Sequence, residues 1–181
     1  NINRDGIIPD YKIKINENFN TTKDISTSIS KLLIRSQSIL KNFNPELVIL
    51  LGDRYETYAI AMSCLILNIP IAHLHGGEVT YGSFDDNIRH SITKLSHLHF
   101  VANKKFKKRV IQLGEEPKSI FVVGGLGVDN IKQTKLLSKK EILNKFNLKN
   151  RFFLITFHPS TLENNKSFIE FRNLLKVLTK Y

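Results

Sequence analysis

The sequence predicts an α/β protein built on a largely parallel sheet, and three observations carry that prediction. Short apolar runs recur at Leu47 to Leu51, Ile69 to Leu74, Leu98 to Ala102 and Ile120 to Val123, each stopping at polar or glycine residues. Segments with helical periodicity lie between consecutive runs, so strand and helix alternate as parallel βαβ units require. The first two runs also deliver ionisable residues at their carboxyl ends, Gly52-Asp53 and then His73-Leu74-His75-Gly76-Gly77-Glu78. In an open parallel sheet those ends share the edge where ligands bind.

Each element has a local reason. Between Ile25 and Phe43, the residues Ile29, Leu32, Leu33, Ser36, Ile39 and Leu40 form one stripe of a helix, which Asn44-Pro45 terminates. Tyr55 to Leu67 is a strongly apolar helix closed by Asn68 and, just beyond, Pro70. Gly76-Gly77 and Gly82-Ser83 loosen the following loop. Asp85 or Asp86 then opens a helix running to about Leu95, where a carboxylate meets unpaired N–H groups and the positive end of the dipole. Lys104 to Leu113 reads as a helix burying Phe106, Val110, Ile111 and Leu113. Ser138 to Phe146 opens on Ser-Lys-Lys-Glu, a capping box. A strand at Phe152 to Thr156 runs into His158-Pro159-Ser160-Thr161, and an amphipathic helix spans Asn165 to Leu178. The polar stretches Lys132 to Lys140 and Lys149 to Arg151 are the expected places for a domain boundary.

The apolar fraction of 41% suffices for a core, yet no apolar run approaches the roughly 20 residues of a membrane span. The opening NINRDGIIPD has no apolar signal core, and the one cysteine, Cys64, lies in an apolar helix as an inert thiol. Both point to the cytoplasm. A net charge of +11 raises nucleic acid as a partner, but its densest cluster, Lys104 to Arg109, reads as the solvated face of a helix. Neither nucleic acid nor membrane is expected as a partner.

Several groups are equipped for chemistry. Asp53 either caps the next helix or faces a ligand, and Arg54 beside it can pair with that acid or grip a phosphate. His73, His75 and Glu78 tempt a metal assignment. Residues two apart on a strand face opposite sides, however, so no metal is expected there. Glu78 lies in a glycine-rich loop whose backbone can approach a ligand, and suits general acid–base work. Asp85 and Asp86 divide into one capping the helix and one facing the cleft. Arg89, four residues after Asp85, reads as half of a surface ion pair, with His90 next to it. His97 and His99 read as structural. His158 ends a strand beside hydroxyls and suits phosphate contact or proton transfer. Gly124-Gly125-Leu126-Gly127 lacks dinucleotide-fingerprint spacing, so no nicotinamide cofactor is expected.

Gly52-Asp53-Arg54-Tyr55-Glu56, the HLHGGE segment from His73 to Glu78 and the string DDNIRHSITKL from Asp85 to Leu95 together resemble the hydrolysing UDP-N-acetylglucosamine 2-epimerases. The nearest branch makes precursors of sialic and legionaminic acids. The resemblance continues in order through Phe100, the helix from Arg109 to Gly114, the turn from Val123 to Asn130 and Ile155 to Pro159. It implies two Rossmann-like domains facing across a cleft, a GT-B-type architecture. Residues 1–148 would then be most of the N-terminal domain without its first strands, and 149–181 the start of a truncated second domain. It also implies elimination of UDP across C1–C2, then hydration to N-acetylmannosamine, with no cofactor, a UDP-sugar as substrate and a homo-oligomer at full length. Carried over by motif, Asp53, Glu78, Asp85, Asp86 and His158 would be catalytic, and Arg54, His75, Arg89 and His90 would bind substrate. One departure is His75, where many relatives carry glutamate; it leaves open whether Glu78 or His75 takes that role, and whether a diacetamido sugar is the substrate. The other readings are a nucleotide-sugar-binding fragment without catalysis and a GT-B glycosyltransferase.

Overall fold

A computed structural model describes residues 2–15, 21–158 and 167–180. Four short strands, β1 (Val48–Leu51), β2 (Ile71–Leu74), β3 (Leu98–Val101) and β4 (Ile120–Val122), pair in parallel in the order β1-β2-β3-β4. The register sets Leu50 beside His73, His73 beside His99 and His99 beside Ile120. The helices α1 (Thr22–Phe43), α2 (Tyr55–Ile66), α3 (Asp85–Leu95) and α4 (Lys104–Gln112) lie before and between these strands. Every strand-to-strand step moves the same way along the sheet, and crossovers are right-handed. The three connecting helices therefore cover a single face. That face supplies the core: Leu50, Ala61, Cys64, Ile69, Ile71 and Ile92 form one buried cluster, and Val101, Val110 and Ile120 another. The opposite face is apolar and open, with Ile49 66%, Leu51 57% and Phe121 44% exposed.

Helix α1 packs on α2 through small polar residues. Ser28, Leu32 and Ser36 are its buried positions, and the Ser36 and Ser63 hydroxyls meet at 2.8 Å. Ser63 also donates to the α1 carbonyl of Leu33 at 3.1 Å, so the two helices are joined by a satisfied polar contact. Thr21 and Asp24 form a capping box at its start, and Asn44 (φ 48) ends it in the left-handed region.

The chain separates into two compact units, residues 1–80 with 85–124, and residues 81–84 with 125–181. The division falls at Gly124-Gly125, ahead of both polar stretches singled out above. The second unit holds α5 (Leu126–Gln133), α6 (Lys139–Lys145) and α7 (Ser167–Leu178). The α6 capping box between Ser138 and Glu141 is present as expected. Three expectations are corrected. Residues 126–133 are helical where a turn was expected, because a single internal glycine costs a helix only about 1 kcal/mol. Phe152 to Thr156 is not a strand: no ladder partner lies beside it among the described residues, and Leu154 is 89% exposed. Ile111 faces solvent, since Val110 alone follows Phe106 at the four-residue spacing that repeats one helix face. Pro159 to Thr161 and the first residues of the predicted last helix, Asn165 and Lys166, lie outside the described residues. Among those described, no helix is long and apolar enough to cross a membrane.

Gly77 carries the tightest packing constraint. It has φ 77, and a Cβ there would stand 2.6 Å from the Phe106 carbonyl oxygen and 2.8 Å from Val110. Gly77→Ala is expected to destabilise the fold by about 3 kcal/mol, strain and collision together. Gly124→Ala, with φ 88 but open space around it, isolates the strain component. Urea unfolding of both variants measures the difference, and equal losses would remove the α4 collision from the account.

Candidate active site

Gly52 follows β1 with φ 90 and turns the chain so that Asp53 and Arg54 precede α2. Leu51 lies in register with Leu74, and the His75 N–H donates to the Phe100 carbonyl at 2.9 Å. Asp53 and the loop from His75 to Glu78 thus leave neighbouring strands at one sheet edge. His75 has φ 64, a left-handed conformation that costs a non-glycine residue roughly 1–2 kcal/mol. Its Nδ1 lies 2.7 Å from Glu78 Oε1, both side chains half-buried.

Arg89 is the centre of the cluster. It is only 4% exposed, one turn inside α3, and its two terminal nitrogens make three hydrogen bonds to oxygen acceptors. Nη2 donates to Asp53 Oδ2 and, at 2.8 Å, to Thr80 Oγ1; Nη1 donates to Asp86 Oδ1 at 3.0 Å. Asp86 Oδ1 also accepts the Thr80 N–H at 2.9 Å. One buried cation therefore joins the end of β1, the glycine loop and the start of α3. This corrects the surface-pair expectation: Arg89 pairs with Asp86 at three residues and with Asp53 across the sheet edge. Asp53 is likewise not a helix cap, since α2 has no side-chain cap. A buried charge is tolerated only when its partners are in place, which is why the acids converge here.

The remaining predicted residues fall around this cluster or elsewhere. Asp85 is the first residue of α3 and half-buried. Arg54 points outward, 69% exposed, and forms a two-pronged bond to Glu56 at 3.0 and 3.1 Å. His90 Nε2 approaches Asp86 Oδ2 at 3.6 Å, and burial lowers its pKa despite Asp86. His90 also lines a groove of about 470 Å³ with Tyr58, Asn87, Ser91 and Lys94; none of Asp53, Glu78 or Asp86 belongs to that lining. His158 belongs to the second unit and is exposed.

Behind the cluster stands a group that spacing did not single out as functional. His73 is fully buried in β2. Its Nε2 lies 2.9 Å from the Gly52 carbonyl oxygen, and its Nδ1 3.2 Å from Thr93 Oγ1. A carbonyl only accepts, so Nε2 carries the proton. Burial pushes the imidazole down to about 4, the Gly52 bond opposing, and the ring is neutral. Gly76 makes room for it: a Cβ there would stand 3.1 Å from Thr93 Oγ1 and 3.2 Å from His73 Nδ1. Gly76 and Gly77 therefore serve packing within the protein, on His73 and on α4. Arg109 reinforces this by donating to the Gly77 carbonyl. His73 and His75 have separate partners, but the left-handed turn at His75, beyond the end of β2, separates them rather than strand alternation. Cys64 is buried with its thiol pushed up to about 11 by desolvation, the inert state expected. His97 accepts from the Ile71 N–H and His99 meets Glu115 at 3.2 Å, both structural as expected.

This edge cluster sits in a chain whose residues 3–181 match the profile of the UDP-N-acetylglucosamine 2-epimerase family. The chain belongs to that family. It is 46% identical over 140 residues to the hydrolysing GDP/UDP-N,N'-diacetylbacillosamine 2-epimerase of Campylobacter jejuni, covering 76% of this chain and 36% of that protein. It is 39% identical over 168 residues to polysialic acid biosynthesis protein P7 of Escherichia coli, covering 92% and 43%. The chain thus spans well under half the length of these relatives. Its fold is similar to the crystal structure of Neisseria meningitidis UDP-GlcNAc 2-epimerase bound to UDP-GlcNAc, with a TM-score of 0.66 at 20% identity over 81% of this chain and 41% of that one. The Rossmann-like parallel sheet of a GT-B-type epimerase, expected from the sequence, is thereby the fold of this family member.

The neutral histidine makes stability depend on pH. His73 has its folded-state pKa near 4 against about 6.5 when unfolded, so the unfolded chain binds the extra proton between those values. Its contribution is complete above about pH 6.5 and is lost as pH falls to 4, on the order of 3 kcal/mol in all. His90 and His99 shift in the same direction. Urea midpoints should fall from pH 7.5 to pH 4.5, and His73→Gln should flatten that fall. An unchanged slope in the variant would remove His73 as its source.

Proposed function

We propose that the protein acts as a hydrolysing 2-epimerase on a UDP-linked 2-acetamido sugar in nonulosonic acid biosynthesis. The observation that carries the reading is the convergence of Asp53, Asp86 and Arg89 beside the His75–Glu78 pair at the carboxyl edge of the sheet, in a chain of the epimerase family. The chemistry asks for a base at the weakly acidic C2–H and an acid that assists departure of UDP from C1. Loss of that proton and of UDP leaves a 2-acetamidoglucal; water then adds across the double bond, giving the free 2-epimer and UDP. Asp53 and Asp85 are the carboxylates assigned to proton transfer, with Glu78, Asp86 and His158 as further catalytic groups. Arg54, His75, Arg89 and His90 are assigned to the substrate. Arg89 serves it chiefly by holding Asp53, because both of its terminal nitrogens already donate to protein oxygens.

The similarity to the Campylobacter jejuni enzyme favours a diacetamido sugar over UDP-N-acetylglucosamine as substrate. Incubating the full-length gene product with each sugar separates these. Release of UDP with N-acetylmannosamine supports the second, and release of UDP with the diacetamido epimer supports the first. Transfer of sugar to an added acceptor would instead favour a glycosyltransferase, and UDP binding by calorimetry without turnover a binding fragment. Asp53→Asn should lower kcat by about 1,000-fold and lower the unfolding free energy by about 3 kcal/mol, because buried Arg89 loses one of its two carboxylate partners. Full activity in that variant would take Asp53 out of the mechanism.

A further inference from the structure

The buried imidazole behind the ion pair links the two backbone segments that the pair itself joins through side chains. His73 Nε2–H donates to the carbonyl of Gly52, the residue immediately before Asp53, at 2.9 Å. On its other side Nδ1, which carries no proton, lies 3.2 Å from the Thr93 hydroxyl, whose single proton is shared between that nitrogen and the carbonyl of Arg89 at 3.0 Å, one helical turn earlier. The path Gly52–His73–Thr93–Arg89 therefore closes a ring whose fourth side is the Asp53–Arg89 ion pair. Every side chain on this path is buried or half-buried: His73 and Thr93 are fully inaccessible and Arg89 nearly so. Gly52 has φ 90, so its peptide orientation is one that the local sterics alone do not enforce. A donor aimed at its carbonyl is what selects that orientation, and with it the direction in which Asp53 leaves the strand.

We propose that His73 is a positioning residue for the Asp53–Arg89 pair, fixing Gly52 on one side and the turn of α3 from Arg89 to Thr93 on the other. The inference deepens the epimerase reading and, for its catalytic consequence, rests on it. His73 touches no substrate here. It acts by keeping a carboxylate and its counter-cation in one geometry, and a misplacement of about 1 Å in such a group costs roughly 100-fold in rate.

The two ring nitrogens allow a dissecting test. Glutamine at position 73 places an N–H donor where Nε2 stands and keeps the bond to Gly52. Asparagine places its polar atoms near Nδ1 and keeps only the Thr93 side. Leucine keeps volume and loses both. In the full-length gene product, His73→Gln is expected to hold kcat within about 3-fold, whereas His73→Asn and His73→Leu lose about 100-fold with KM nearly unchanged. Independently of activity, the side-chain N–H signals of Arg89 in a nitrogen-15 spectrum should exchange slowly in wild type and His73→Gln. They should exchange fast in the asparagine and leucine forms. Wild-type kcat together with slow Arg89 exchange in the asparagine form overturns the proposal, even if the leucine form fails to fold. If the wild type turns over no UDP-sugar, the epimerase reading fails, and the Arg89 signals alone decide whether His73 positions the pair.

Discussion

A guanidinium withdrawn from water must be met by oxygen atoms, and much of this protein's sheet edge follows from that requirement. Arg89 is buried one turn inside α3. Compensation comes from Asp86 on its own helix, Thr80 in the preceding loop and Asp53 on the neighbouring strand's end. Remove any one and an uncompensated charge remains in a poorly solvated place. The loop between β2 and α3 is long and contains three glycines, yet this single group ties its end down. Charge compensation here does structural work first, and the same acids are then in position for chemistry.

Around that centre, two cations of α4 and one imidazole serve backbone carbonyls. Lys107 donates to the carbonyls of Pro117 and Ile120, and Arg109 to that of Gly77. The dense basic run of α4 thus divides between residues that clasp neighbouring loops and residues such as Lys104 and Lys105 that face water. In the sheet interior His73 and His99 stand where aliphatic side chains are usual, and burial lowers the pKa of both. A net charge of +11 gives no hint of this division.

The sheet and its first four helices were legible because their signals are local. Apolar runs of four or five residues, stopped by Gly52-Asp53, His75-Gly76 or Gly124, leave few alternatives to buried parallel strands. Less legible was whatever depends on a partner. A strand at 152–156 has the right composition, but β structure exists only through its neighbour, so composition alone misassigned it. Residues 126–133 erred the other way, since glycine spacing concealed a short helix. The site shows the same contrast. Asp53, Glu78, Asp85 and Asp86 could be nominated from strand ends and a helix start. The burial of Arg89 could not, because spacing on α3 reveals its distance from Asp85 but not what the adjacent strand delivers. In the sequence His73 is a candidate metal ligand only, and is set aside, because spacing along a strand end does not show its two buried bonds. The one available signal was Gly76, whose missing Cβ makes room for that ring.

The order β1-β2-β3-β4 repeats the order of synthesis, and that has a kinetic meaning. Each strand docks on the one made just before it, so the chain need not wait for a distant segment to close a ladder, which lowers the entropy lost before contacts reward it. As the polypeptide emerges, every new strand is briefly the exposed margin of a growing sheet, and its successor covers it. The bridge from Asp53 to Arg89 spans two of these steps, 36 residues. It can lock only after β2 has been laid down and α3 has begun to wind. The edge cluster can therefore close before β3 and β4 have joined the sheet, a latch thrown while the frame is still being raised.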